Sequence, residues 1–161
     1  MLNRIIAIGD SFFYLCDHLD ETGYRLNKGI LGRVQDELPF PTEVINLGKN
    51  GSKTSDWIKD VFPAGDIYLI LLGTNDWWGG TNGIGTARDY LFRSEGTILG
   101  NLGIVVSHIK MAAPGAKIFL CNPIERGDFV YLLDYSNFAK GSYEPHHGIE
   151  LKQISDAIFY Q

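Results

Sequence analysis

Three short segments set glycine beside hydrogen-bonding side chains: Gly9, Asp10, Ser11; Asn46, Leu47, Gly48, Lys49, Asn50, Gly51; and Gly73, Thr74, Asn75, Asp76. A serine hydroxyl that follows a glycine-containing turn can attack a carbonyl once a histidine takes its proton, and its own backbone amide then faces the developing oxyanion. The Gly48 amide and the Asn75 side-chain amide are further donors for the same oxyanion, each typically worth about 3 to 4 kcal/mol in the transition state. Glycine matters at 48 because a Cβ would obstruct close backbone approach. The same residues have plainer uses: Ser11 can cap a helix, Gly48 and Gly51 can be ordinary turn glycines, and Asn75 can hold an Asx turn. Asp10 fits a turn-organising carboxylate better than a catalytic one.

Taken in this order, the three blocks resemble those of the SGNH hydrolases, also called GDSL-like esterases and lipases. Each block alone is weak, whereas three in sequence, each at the exit of an expected strand, are specific. The resemblance implies that Ser11 is the nucleophile and that the Ser11 amide, the Gly48 amide and the Asn75 side chain form the oxyanion hole. It also implies hydrolysis of a carboxylic ester, with water as second substrate and no cofactor.

The family's fourth block, an aspartate three residues before a histidine after a fifth strand, has no match. Glu144, Pro145, His146, His147 come nearest, with glutamate three residues before His147 and a helix following. Glutamate can orient an imidazole much as aspartate does. No fifth strand is evident between Cys121 and His147, and the stretch from Asn122 through Arg126, Asp128, Tyr131, Gly141, Ser142 and Tyr143 resembles a substrate-side insertion. Two readings therefore stand: His147 is the base, or the fifth strand and the acid-histidine block lie outside this sequence. The second admits a non-catalytic module that binds a glycan or acyl group. His18 and His108 are weaker candidates, His108 lying on a helical pattern.

These blocks need a scaffold that brings three chain turns to one edge. Four apolar, β-branched runs supply it: Ile5 to Ile8, Glu43 to Ile45, Ile67 to Leu72, and Lys117 to Cys121. Helical patterns separate them. One carries Ile30, Leu31, Val34 and Leu38 after an Asn27 cap and ends at Pro39; a short one runs from Ser55 to Phe62. A third carries Ile98, Leu102, Val105, Val106 and Ile109, although Gly96, Gly100 and Gly103 lower its propensity by up to about 1 kcal/mol each. A last amphipathic segment holds Leu151, Ile154, Ala157 and Ile158. Alternating strands and helices predict a doubly wound, three-layer α/β/α sandwich with a mostly parallel sheet, in one domain over 1–161, lacking a last strand on the second reading above. In such sheets ligands bind beyond the carboxyl ends of the strands, where all three blocks fall. A flavodoxin-like nucleotide site is disfavoured, since the first exit has no glycine-rich phosphate cradle.

Composition narrows the partners. The chain has 161 residues, 45% hydrophobic and 20% charged, with a net charge of -5, which gives no electrostatic case for nucleic acid. Its longest apolar run is far below the roughly 20 residues a membrane span needs. The amino terminus lacks the apolar run of a signal peptide and reads as cytoplasmic or already processed. Cys16 and Cys121 form no CxxC pattern, and no metal-ligand spacing is evident. Trp77 and Trp78, beside the third block, are candidates for a sugar or acyl platform, with core packing as the equal alternative. Tyr131, Tyr135, Phe138 and Tyr143 add aromatic surface. The expected substrate is a carbohydrate O-acetyl or short-acyl ester.

Overall fold

A computed structural model describes residues 3–23, 27–79, 82–123 and 151–159. Four strands, β1 (Asn3–Gly9), β2 (Thr42–Asn46), β3 (Ile67–Leu71) and β4 (Lys117–Cys121), form one parallel sheet in the order β2-β1-β3-β4. β1 is interior and pairs Ile5 with Val44 on one side and Ile67 on the other. Its apolar run does not alternate because helices cover both faces, and Ile5, Ile6, Ala7 and Ile8 are at most 2% exposed.

On one face Ile6, Ile8, Tyr68 and Ile70 pack with Leu102, Val105 and Ile109 of α5 (Ile98–Ala112) and with Ile154 and Ile158 of α6 (Leu151–Phe159). On the other, Ala7 and Leu71 meet Phe13 of α1 (Ser11–Asp17) and Leu31 of α2 (Ile30–Glu37). The expected three-layer α/β/α architecture is therefore present. Two further short helices, α3 (Thr74–Gly79) and α4 (Ala87–Phe92), lie between β3 and α5. Among the described residues no helix is long and apolar enough to cross a membrane.

The glycines of α5 have a packing cause. A Cβ at Gly100 would run into the Ser94 carbonyl, and one at Gly103 into the Tyr90 carbonyl. The lost helix propensity lets the backbone of α4 and its trailing turn lie directly on α5. Thr97 caps α5 by accepting from the Gly100 amide at 3.0 Å.

Two sequence expectations are corrected. α2 is capped at Gly29, not Asn27, and no side chain accepts from its first amides. The helix expected over Ser55 to Phe62 is a single 3-10 turn, Thr54–Trp57. Asp56 closes that turn by accepting from the Lys53 amide at 2.8 Å, and the chain then straightens so that Phe62 joins Trp57 in the core before Pro63.

Candidate active site

β1 ends at Gly9, which pairs with Leu71 of β3 beyond the last β2 pairing of Ala7 with Asn46, and Asp10 immediately caps α1. The Asp10 carboxylate accepts from the Phe12 amide at 3.0 Å, and its carbonyl accepts from Tyr14 at 3.0 Å. Asp10 is thus the turn-organising N-cap, and the capping use of Ser11 is taken over by its neighbour. Ser11 becomes the first residue of α1, half-buried at the carboxyl end of the interior strand. Its hydroxyl makes no hydrogen bond to another described residue.

The second block wraps against the same helix. The Lys49 amide and the Ser52 hydroxyl both donate to the Gly9 carbonyl, at 2.9 and 3.2 Å. Gly48 lies so close to α1 that a Cβ would collide with the Tyr14 amide nitrogen and the Phe13 backbone. Close approach, the expected reason for glycine at 48, is what the packing requires. The Gly48 amide donates to the Asn46 side-chain oxygen at 3.0 Å. The Asn46 amide group in turn donates to the Phe13 carbonyl at 2.7 Å and to the Asp17 carboxylate at 3.0 Å.

The third block opens α3. Asn75 donates one side-chain N–H to the Ser52 carbonyl at 3.0 Å, which fixes the amide plane; its nitrogen carries a second hydrogen. Ser11, Gly48 and Asn75 therefore share one edge of the sheet and are linked through Gly9 and Ser52. Beneath them lies a fully buried polar group of Asp76, Thr54 and Asn101. Asp76 accepts from the Thr54 amide at 2.9 Å, the Thr54 hydroxyl at 2.6 Å and the Asn82 side chain at 2.8 Å. Asn101 donates to the Thr54 hydroxyl at 3.0 Å. Sequence reasoning placed Asn46 in the second block without a role and missed Ser52, Thr54 and Asn101, whose signals are single polar residues inside otherwise apolar or loop segments.

The indole pair divides. Trp77 is 5% exposed and belongs to the core, whereas Trp78 is 40% exposed. Only Trp78 presents a surface to solvent, so the two do not make a joint platform.

Neither described histidine contacts Ser11. His18 stacks on Tyr14 with ring centres 3.9 Å apart, and its Nδ1 pairs with the Tyr14 carbonyl at 2.9 Å. His108 pairs through Nδ1 with the Asp60 carbonyl at 3.3 Å. The Tyr14 phenol donates to Glu21 at 2.9 Å, and that bond raises its pKa above the ordinary tyrosine value. Burial pushes the Cys121 thiol up as well, which disfavours its thiolate. His147, Glu144, Tyr131, Tyr135, Phe138 and Tyr143 lie outside the described residues.

Comparison with known proteins adds the following. The profile of the GDSL-like lipase/acylhydrolase family matches residues 7–142. The structure of a possible lipase from Chitinophaga pinensis DSM 2588 superposes with a TM-score of 0.85 at 39% identity, over 98% of this chain and 63% of that one. The chain thus spans under two-thirds of that protein's length. An acetyl xylan esterase structure, with a TM-score of 0.50 and 17% identity over 98% of this chain and 71% of its own, shares the fold. No curated protein matches the sequence.

Proposed function

The chain belongs to the GDSL-like lipase/acylhydrolase family, and from that premise we propose that it is a serine ester hydrolase working through Ser11. The observation that carries this reading is the shared edge: Ser11 begins α1, Gly48 lies against the same helix, and the Asn75 amide is tied to the Ser52 carbonyl of the second block. In the reaction the Ser11 Oγ forms a bond to the ester carbonyl carbon, the carbonyl π pair moves onto oxygen, and the serine proton passes to a general base. The Ser11 amide, the Gly48 amide and the Asn75 side chain stabilise that oxyanion. Collapse expels the alcohol, and water then hydrolyses the acyl-enzyme.

The candidate for that base within the sequence is His147, with Glu144 three residues before it. His18 does not take the part: seven residues after Ser11, it is roughly 10 Å further along α1. A non-catalytic binding module is the second reading.

The substrate in our reading is a small carbohydrate O-acetyl or short-acyl ester, with exposed Trp78, three residues after Asn75, as its apolar contact. Labelling with a fluorophosphonate probe separates the two readings. Strong labelling that disappears in Ser11→Ala supports the hydrolase; glycan or acyl binding without labelling supports the module. A panel of acetylated sugars against p-nitrophenyl esters of increasing chain length tests the substrate, and a preference for long chains sinks the sugar assignment.

A further inference from the structure

The Gly48 amide, one of the three oxyanion donors in the reading above, already has a partner in the resting protein. It donates to the Asn46 side-chain oxygen at 3.0 Å. The same Asn46 side chain donates to the Phe13 carbonyl at 2.7 Å and the Asp17 carboxylate at 3.0 Å, both on the helix that begins with Ser11. One carboxamide at the end of β2 thus clamps the nucleophile's helix with its nitrogen and holds the oxyanion donor with its oxygen.

We infer that Asn46 is a positioning residue that holds the Gly48 amide on a neutral acceptor until oxyanion charge develops, so that this donor favours the transition state over the bound ester. The argument compares acceptors. A neutral ester carbonyl is no better an acceptor than a neutral carboxamide oxygen, so the Gly48 amide gains little by leaving Asn46 when substrate binds. A charged oxyanion is different, because hydrogen bonds to ionised acceptors are roughly twice as strong as neutral ones. The exchange becomes favourable only as the carbonyl π pair moves onto oxygen. An interaction strengthened only then raises kcat and leaves KM nearly untouched. The Asn46 bonds to Phe13 and Asp17 supply the other half, since they fix the turn against α1 and leave the amide only a small movement to make. Asn46 touches neither substrate nor reacting atoms and acts through Gly48.

The inference rests on the Ser11 hydrolase reading, and its test keeps the two apart. The native chain and Ser11→Ala are assayed with p-nitrophenyl acetate beside the paired change Asn46→Asp with Asp17→Asn. The pair swaps the two side chains, keeps a donor facing an acceptor between positions 46 and 17, gives up the bond to the Phe13 carbonyl, and puts a charged acceptor on the Gly48 amide. The expected result is a kcat about 100- to 1000-fold lower with KM within about twofold, the size of an oxyanion donor lost. Native kcat in a swapped chain with a native circular dichroism spectrum overturns the inference, and so does a loss confined to KM.

A second measurement needs only the native chain. Reaction with a fluorophosphonate forms the Ser11 Oγ–P bond, expels fluoride, releases the serine proton and leaves a phosphoryl oxygen in place of the oxyanion. The Gly48 amide resonance in a nitrogen-proton NMR spectrum is expected to move further than those of Leu47 and Lys49; an equal or smaller movement overturns the inference. A native chain with neither Ser11-dependent turnover nor labelling removes the hydrolase reading and this inference with it. Ser11-dependent activity with a failed Asn46 result removes this inference alone.

Discussion

The Thr54 hydroxyl donates to the Asp76 carboxylate at 2.6 Å with both residues fully buried, and the Thr54 amide donates to the same carboxylate at 2.9 Å. A buried carboxylate is tolerable only when its oxygens are satisfied, and these two bonds, with one from Asn82, do so. Asp76 stands next to Asn75 in sequence, so the group that satisfies the charge also fixes where an oxyanion donor can sit. Thr54→Val keeps the shape, removes one donor to a charged acceptor and takes away the hydroxyl that accepts from the Asn101 side chain. The expected loss is about 1.5 to 3 kcal/mol of unfolding free energy, read by urea denaturation. A change near zero would show that Asp76 is satisfied without Thr54.

Gly48→Ala tests the close approach of the second block to α1. Its Cβ meets backbone atoms of Phe13 and Tyr14, which cannot rotate away as a flexible side chain could. The expected stability loss is about 1 to 3 kcal/mol, with fluorophosphonate labelling slowed about 100-fold because the amide moves off the oxyanion position. Native labelling speed would place Gly48 outside the site.

In α5 the propensity and packing arguments have opposite signs. Replacing glycine by alanine in a helix interior should stabilise by about 1 kcal/mol. At Gly103 the new Cβ collides with the Tyr90 carbonyl, so Gly103→Ala is expected to destabilise by about 1 to 3 kcal/mol instead. Thermal melts give the sign directly.

Two adjacent tryptophans should respond differently. Trp77→Ala empties part of the core and is expected to cost about 3 to 5 kcal/mol. Trp78→Ala removes a ring that is 40% exposed and packs beside Trp77, and is expected to lower the melting temperature less than Trp77→Ala does while raising KM for the acetyl ester. Parallel melts and initial-rate assays check both.

The acid side of α4 has a definite sign. Hydrogen bonds from the Thr86 hydroxyl and amide, at 2.7 and 2.8 Å, hold the Asp89 pKa below its ordinary value. A carboxylate depressed in the folded state adds stability above its unfolded pKa and loses it as the pH falls through the folded one. Thr86→Ala is expected to move Asp89 back toward the ordinary carboxylate value, followed by carboxyl carbon NMR during titration. An unmoved midpoint would assign the shift to another cause.

Much of this arrangement is legible before any coordinates. The interior strands β1 and β3 announce themselves by unbroken apolar runs, because helices cover both faces there, whereas β2 offers only Val44 and Ile45 and β4 leaves Phe119 51% exposed. The three blocks are legible because each joins glycine to a polar side chain at a strand exit. The short helices were not expected: α4 exposes Leu91 and Phe92, so its apolar residues trace no stripe, although Thr86 and Asp89 carry a capping-box spacing that could have revealed it. The Asp76, Thr54 and Asn101 group was invisible for another reason. Its members come from three separate elements, and no local spacing encodes a contact made by the sheet order.

The interior position of β1 also governs when the site can exist. Ile5 pairs with Val44 on one side and Ile67 on the other, so the strand that carries the Gly9 exit is complete only after β3 has been synthesised. Contacts so far apart in sequence form late and slow the folding of such topologies. During synthesis the segment through Asn46 emerges with one edge of β1 bare, an opening for mispairing until Leu71 of β3 has followed it. The turn bearing Ser11 is made before β2 and β3 and is locked only after both.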